Sequence, residues 1–348
     1  MTTFGYGAIL FGIVTVFGGG VMRVLYVGGT GEISLSCVKE SVAAGHDVTV
    51  FNRGSRGDVL PVDVTALQGD LRDDATYAAL AEKRFDAVCQ FLAYTEDDVA
   101  RDVRTFAGKT GHYVFIASAS SYQRPARTHR ITEDVPLENP FSAYSRNKAA
   151  AETIVLSQSD LPATVVRPSH TIHTRFPTVL REHLLLPWRI ENGKPIVTHG
   201  DGTSLWTVTR SEDFAIPFVR LLGNPDALGE AVHITSDRAY TWDQLYHGIG
   251  ACLGKPVDIV HVPTDTIVRY FPELAETLYG DKTASLTFDN SKIKQLAGAF
   301  SCAVELTELL AGPAEFYKAS GYRPDEDDLK LDARIDAMIE AQRAVGPA

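Results

Sequence analysis

The run Val24-Leu25-Tyr26-Val27, broken at once by Gly28-Gly29-Thr30-Gly31-Glu32-Ile33-Ser34, leaves this chain few folds to choose from. Four consecutive apolar residues ahead of a glycine turn predict a strand buried on both faces. Residues 35–44, which follow without a gap, have the composition of a helix. Strand, turn and helix make the first half of a βαβ unit, and the helix start offers unpaired N–H groups and a partial positive charge to whatever sits in the turn. That environment suits the pyrophosphate of a dinucleotide. In Gly28-x-x-Gly31-x-x-Ser34 the third small position holds serine, and an ordinary glycine turn is the plainer alternative. The strand before it and the helix after it favour the dinucleotide.

From Met22 onward, apolar runs alternate with helix-like segments across short connections, as in a parallel sheet covered on both faces. Residues 48–51 read as the second strand, 64–68 as the third, 87–92 as the fourth and 114–117 as the core of the fifth. Their exits share one edge of the sheet, where such folds hold ligands. The second strand ends in Asn52-Arg53-Gly54-Ser55-Arg56, with no acid to accept a ribose 2′-hydroxyl and two arginines suited to a 2′-phosphate. NADP is therefore favoured over NAD, against the alternative of solvated arginines in an exit loop. Asp70 can accept from an adenine amino group with Leu71 covering the ring, or it can cap the next helix. Leu92 closes the fourth strand, and Ala93 and Tyr94 form its exit.

Chemistry enters with Tyr144-Ser145-Arg146-Asn147-Lys148, which opens a helix and puts Tyr144 and Lys148 on one face, four residues apart. A phenol with an ordinary pKa of about 10 is a poor base at neutral pH. A nearby ammonium is expected to lower that value and make Tyr144 a general acid/base able to move a hydroxyl proton as a hydride leaves. Ser118, in the exit Ser118-Ala119-Ser120-Ser121-Tyr122 of the fifth strand, would hold the substrate oxygen beside Tyr144. Tyr-x-x-x-Lys arises easily as an exposed helix pair. Its order after the glycine turn and the strand-end serine is what gives it weight.

Composition narrows the field further. The 348 residues can bury a full core, and the formal charge of −11, with no long basic run, argues against nucleic acid as a partner. Four scattered cysteines imply neither a disulfide framework nor a zinc site, so reduced thiols in a cytoplasmic protein are expected, and no metal. In residues 1–21 the apolar run at 8–17 is far short of the roughly 20 residues that span a bilayer. No Lys or Arg precedes it, so a secretory signal is poorly supported. This leader reads as an extension ahead of a fold that begins at Met22, with a short anchor or a packed arm as the alternatives.

With these motifs the chain resembles the extended short-chain dehydrogenase/reductase superfamily, the NAD-dependent epimerase/dehydratases. The resemblance is carried by Gly28 to Ile33, Asp70-Leu71, Phe115-Ile116-Ala117-Ser118, Tyr144 to Lys148, Val166-Arg167-Pro168 and the stretch from Gly200-Asp201-Gly202-Thr203 to Asp213-Phe214-Ala215. The Asn-Arg-Gly exit and the Arg-Pro-Ser-His turn look most like an atypical branch that includes chloroplast stem-loop RNA-binding proteins. What the resemblance implies is an α/β fold: a doubly wound parallel Rossmann sheet over residues 22–168, with a return segment at about 203–240, and a smaller C-terminal α+β substrate lobe over 169–348. It also implies a Ser118, Tyr144 and Lys148 triad, Lys148 on the nicotinamide ribose, and a dinucleotide held by Gly28, Thr30, Gly31, Glu32, Ile33, Asn52, Arg53, Asp70, Leu71, Leu92, Ala93 and Pro168.

Departures from the family pattern narrow the reaction. Where its dehydratases carry Asp-Glu, this chain has Ala119-Ser120, so a 4,6-dehydratase is not expected. Where its nucleotide-sugar epimerases place an arginine on the diphosphate, seven residues before Asp213, this chain has Trp206, and an indole cannot replace a guanidinium fork. Trp206 either stacks on a sugar face or packs in the lobe. Ser120, Tyr94, His170 and Trp206 are the substrate candidates, with His173 beside His170 in the turn after the sixth strand.

The expected activity is NAD(P)-dependent oxidation, reduction or epimerisation at a secondary alcohol or ketone of a carbohydrate-like small molecule, without a membrane partner and compatible with a homodimer. A non-catalytic dinucleotide-binding scaffold for recognition, including RNA binding, is the alternative. The intact triad speaks for catalysis and the acidic balance against RNA. Further along the chain, residues 196–198, 206–209, 232–235 and 257–262 read as strands, 241–253 as a helix capped by Thr241, and 332–344 as a terminal amphipathic helix.

Overall fold

The structure, a computed structural model, describes residues 20–303 and 305–345, so the expectation for the leader lies almost wholly outside the described residues. The first strand, β1 (Arg23–Val27), is the centre of the molecule, and Val24, Leu25, Tyr26 and Val27 are all fully buried. Burying each such side chain contributes roughly 1.5–3 kcal/mol. Helix α1 (Ser34–Ala43) is fastened to this strand from within: the Tyr26 hydroxyl lies 2.7 Å from Ser41 Oγ and donates to the Cys37 carbonyl at 3.1 Å.

The chain continues through β2 (Asp47–Asn52), β3 (Thr65–Gln68), α2 (Asp74–Ala78), β4 (Ala87–Gln90), α3 (Glu96–Phe106) and β5 (His112–Ile116). After a short β6 (Arg130–Ile131) come α4 (Ala143–Ser157) and β7 (Ala163–Pro168). The seven-stranded sheet runs β12-β7-β5-β4-β1-β2-β3, where β12 is Ala231–Ile234, and every neighbouring pair is parallel. The strand order reverses between β1 and β4, which opens a crevice above their carboxyl ends. Helix α6 (Ser211–Leu221) shares one face with α1, where Phe214 and Phe218 pack near Tyr26. On the opposite face, α4 packs Ala151 and Val155 against Leu25, Val27 and Phe115. A later segment, Ser291–Ala297, also places Ile293 and Ala297 in the α1/α6 layer.

The remaining chain forms small two-stranded pairs around a second core. β8 (His170–Ile172) pairs with β11 (Val208–Arg210), β9 (Ile196–His199) with β14 (Ile259–Val262), β10 (Leu205–Trp206) with β13 (Tyr240–Thr241), and β15 (Thr287–Phe288) with β6. The single strand expected over 206–209 is thus two strands with different partners. Thr207 stands between them and donates its hydroxyl to the Leu286 carbonyl at 3.0 Å. Thr241 caps α7 (Trp242–Leu253) in a reciprocal box with Gln244, as expected. The terminal helix is longer than its apolar pattern predicts, Glu326–Val345, because acidic residues at its start extend it.

Asp102, fully buried on α3, accepts from the hydroxyls of Tyr77 and Tyr113 and from Gln90 Nε2, and Gln90 Oε1 in turn accepts from the Leu92 amide at 2.8 Å. Burial raises its carboxyl to about 6, against the lowering effect of these donors. Asp102→Ala leaves three buried donors without their acceptor and is expected to destabilise the protein by about 3 kcal/mol. Asp102→Asn keeps one acceptor oxygen and should cost less. Urea denaturation midpoints compare the two.

Candidate functional site

The crevice at the carboxyl edge is a cleft of about 720 Å³ lined by the glycine turn, the ends of β2 to β5, and Tyr144, Lys148 and Pro168. Gly28 has φ +88, and a Cβ there would stand 2.5 Å from Leu92 Cγ, so only glycine lets the chain pass over Leu92. Ser34, in the third small position, accepts from the Gly31 amide at 2.9 Å and ties the turn to the first turn of α1. Thr30, Ile33, Asn52, Arg53, Asp70, Leu71 and Leu92 all line this cleft. Arg53 and Arg56 are exposed within it, with Arg72 beside them, an arginine that no motif singled out. Asp70 does not cap the following helix. Its Oδ1 accepts from the Arg72 amide at 2.9 Å, and Asp73 caps α2.

Two expected cofactor residues behave differently from their neighbours. The Ala93 side chain is buried and does not line the cleft, although its carbonyl accepts from Lys148. Glu32 lines the cleft, yet its carboxylate is engaged 141 residues away, accepting from the amides of His173 at 3.0 Å and Thr174 at 2.9 Å and from the Thr174 hydroxyl. These hydrogen bonds hold its carboxyl below the usual range against the opposing effect of burial. The glycine turn is thereby tied to the segment that enters the lobe.

Helix α4 is placed by its own cap, with Ser142 Oγ accepting from the Ser145 amide at 3.2 Å, and by Arg167 of β7, whose guanidinium pairs with Glu152 in the core. This brings Ser118 and Tyr144 together at the border of the two clefts, near enough for the serine to oppose the upward push on the phenol. Ser118 Oγ lies 2.9 Å from Ser120 Oγ, which lies 2.8 Å from Ser145 Oγ, a chain of three hydroxyls of which Ser145 was not foreseen. Lys148 is buried, donates to the Ala93 and Ile116 carbonyls at 2.7 Å each, and lies 4.5 Å from the Tyr94 ring centroid.

The charge states differ from the sequence expectation. Burial pushes the Tyr144 phenol up to about 12, only partly offset by Ser118, and brings the Lys148 ammonium down to about 7. Tyr144 is 44% exposed as a residue, so it is the cleft around the hydroxyl tip that desolvates it. The expected lowering of the phenol by Lys148 is absent, because that ammonium is spent on two carbonyls and an aromatic face. Tyr94 lines the dinucleotide cleft rather than the substrate side.

Beyond Ser118 and Tyr144 lies a second cleft of about 280 Å³, reached also by Ser120, Pro168, His170 and Trp206. His170 has its ring 5.9 Å from that of Trp206, and burial pushes its pKa down to about 3, so it is neutral. Trp206 is buried and stacks on Trp242 at 5.5 Å, which meets the packing alternative while leaving part of the indole as a cleft wall. His173 instead pairs with Glu212 at 2.8 Å, outside both clefts. The far wall comes from Arg181, Glu276, Thr277, Asp281 and Phe288, none of them foreseen. Arg181, with φ +63, was hidden because a left-handed arginine has no sequence signature. Asp281 lies on a π-helical turn, Leu278–Lys282, whose widened backbone likewise leaves no pattern to read.

The sheet order, the crevice and the Ser-Tyr-Lys arrangement define a dinucleotide-fold protein of the short-chain dehydrogenase/reductase type. Residues 24–235 match the model of the NAD dependent epimerase/dehydratase family, and the chain belongs to that family. It is 28% identical to 2'-dehydrokanamycin reductase of Streptomyces kanamyceticus over 80% of each chain. It is 26% identical to a chloroplast stem-loop binding protein of 41 kDa from Arabidopsis thaliana, over 69% of this chain and 65% of that one. Among solved structures, UDP-glucuronic acid 4-epimerase of Bacillus cereus, in complex with UDP-glucuronic acid and NAD, superposes with a TM-score of 0.70. At 16% identity, over 86% of this chain and all of that one, this is a likeness of fold. Among the described residues no helix is long and apolar enough to cross a membrane.

Glu32→Ala removes the acceptor that joins the glycine turn to residues 173 and 174. The expected result is hydrogen exchange at the His173 and Thr174 amides faster by about tenfold or more, consistent with loss of about 1.5 kcal/mol of local protection. Mass-spectrometric exchange over this segment measures it.

Proposed function

We propose that this protein is an NAD(P)-dependent oxidoreductase or epimerase acting at a secondary alcohol or ketone of a carbohydrate-like molecule. The observation that carries the reading is that Ser118 and Tyr144 both line the two clefts where they meet. The larger cleft fits a dinucleotide by its own chemistry: a glycine turn in which a Cβ at Gly28 or Gly29 would collide with Leu92 or Val50, amides at a helix start, and exposed arginines at the opposite end. When bound there, a nicotinamide supplies a hydride donor or acceptor.

The protein's part is to orient and to handle a proton. Ser118, backed by Ser120 and Ser145, holds the substrate oxygen, and Tyr144 exchanges a proton with it. A phenol pushed up to about 12 is protonated at neutral pH, which suits donation to the oxygen of a ketone being reduced. Lys148, with two of its three donor positions used on carbonyls, has one left for a ribose hydroxyl. Pro168, at the end of β7, lines both clefts as a wall without an N–H.

Arg53 and Arg56 support a preference for NADP, since neither forms an ion pair with a described residue and both face the dinucleotide cleft at the exit of β2. The scaffold alternative draws on the stem-loop binding relative, and the formal charge of −11 speaks against RNA as its ligand.

Tyr144→Phe is expected to lower kcat by about 10²-fold or more while cofactor binding is retained. Undiminished turnover would reject the mechanism. With wild-type protein, alcohol oxidation should rise as pH goes from about 7 to 10, because deprotonated phenol becomes available only toward its raised pKa. Replacing Arg53 and Arg56 together by alanine should weaken NADPH binding by about tenfold and leave NADH nearly unchanged. Fluorescence titration with both cofactors decides this, and tighter NADH binding by the wild type would overturn the NADP preference.

A further inference from the structure

The far wall of the smaller cleft carries a carboxylate that the protein leaves unsatisfied. Asp281 accepts no side-chain hydrogen bond from any described residue, and its ion partner, Arg124 Nη2, stands 3.7 Å from Oδ1, beyond hydrogen-bonding reach. Arg124 is buried beneath it, and its Nε and Nη2 have no hydrogen-bond partner. Asp281 is nevertheless one-third exposed to the cleft and close enough to Tyr144 to add to the upward push on the phenol. A substrate filling the cleft would strip the remaining water from this carboxylate, a loss only a donor on the substrate can offset.

The surroundings select the kind of donor. Glu276 is a second carboxylate on the same wall; among the described residues it has no ion pair and accepts only from the Ala143 amide, at 3.2 Å. Arg181 donates to the Thr277 hydroxyl and is the single cationic side chain among the lining residues, against two carboxylates. Lys282, next in sequence to Asp281, donates to the Thr178 carbonyl and does not line the cleft, although its charge and that of Arg124 both act on Asp281. His170 is neutral and adds no positive charge to the cleft. Burial raises Asp281 to about 6, so a hydroxyl would leave it only loosely committed to its ionised form. An ammonium would fix that form and make the stronger, charge-assisted contact.

We infer that the substrate is an amino-substituted carbohydrate whose ammonium is held by Asp281, with Glu276 adding to the attraction at the cleft wall. This rests on the function proposed above. It adds that discrimination lies in a charge on the substrate, on the wall opposite the proton-transferring phenol.

The test uses the full chain with NADP or NADPH. Hexoses and pentoses are paired with their amino-deoxy counterparts, as alcohols and as ketones, and kcat/KM is read for each pair at pH 7.5. The expected result is a preference of about tenfold or more for the amino member of at least one pair. That ratio should collapse to within about threefold in Asp281→Asn and fall partially in Glu276→Gln. Melting temperature and cofactor binding show whether each variant is folded. Should Asp281→Asn not fold, the ratio in Glu276→Gln, at an exposed position, decides alone. Equal use of both members, preference for the neutral one, or a ratio unchanged in the folded variants overturns the inference while leaving the oxidoreductase reading standing. Turnover of neither class by the wild type overturns both.

Discussion

The buried ammonium of Lys148 is the constraint on which the working end of this molecule depends. Its hydrogen bonds to the Ala93 and Ile116 carbonyls join one helix to the exits of two adjacent strands, and the rings of Tyr94 and Phe115 close over it. A desolvated cation costs several kcal/mol unless it is well paired, so this position allows α4 little freedom along the sheet edge. Tyr144, one turn earlier on the same helix, is carried to Ser118 by that restraint. The arrangement explains how a side chain read from sequence as an electrostatic partner of the phenol serves first to set where the phenol is.

A second restraint governs how the clefts relate. Glu32 belongs to the glycine turn, and its carboxylate gathers the amides of His173 and Thr174, just beyond the strand that carries His170. His173 continues outward to Glu212 at the start of α6, which packs on α1. The loop that would hold phosphates and the segment that enters the lobe are therefore one hydrogen-bonded unit. Beneath the opposite side of the cleft, Asp102, Gln90 and the Leu92 amide form a buried chain that supports the residue over which Gly28 passes.

The smaller cleft is built on different terms. Its near wall is hydroxyl-rich and belongs to the sheet side, while its far wall comes from residues 276–288 and carries two carboxylates, of which Asp281 has an ion partner but no hydrogen-bond donor among the described residues. Where Trp206 stands in place of the family's diphosphate-binding arginine, the indole is stacked on Trp242 and contributes surface rather than charge. The charged side chains of this cleft stand on the opposite wall instead, where the proposed ammonium contact is placed.

What could be known in advance was whatever depends on near neighbours in the chain. The strand–glycine–helix unit, the parallel order of the sheet core, the Thr241 cap and the spacing of Tyr144 and Lys148 follow from local periodicity, steric need and hydrogen bonds within a few residues. Ser145, Arg181, Glu276 and Asp281 were not legible, because each reaches its cleft through contacts with distant segments and no repeat or spacing marks it. The division of 206–209 between two strand pairs, and the engagement of Glu32 with residues 173 and 174, were hidden for the same reason. Charge states belong wholly to the tertiary structure: sequence proximity put an ammonium near a phenol, but burial and carbonyl partners, which only the packed fold supplies, raised one pKa and lowered the other.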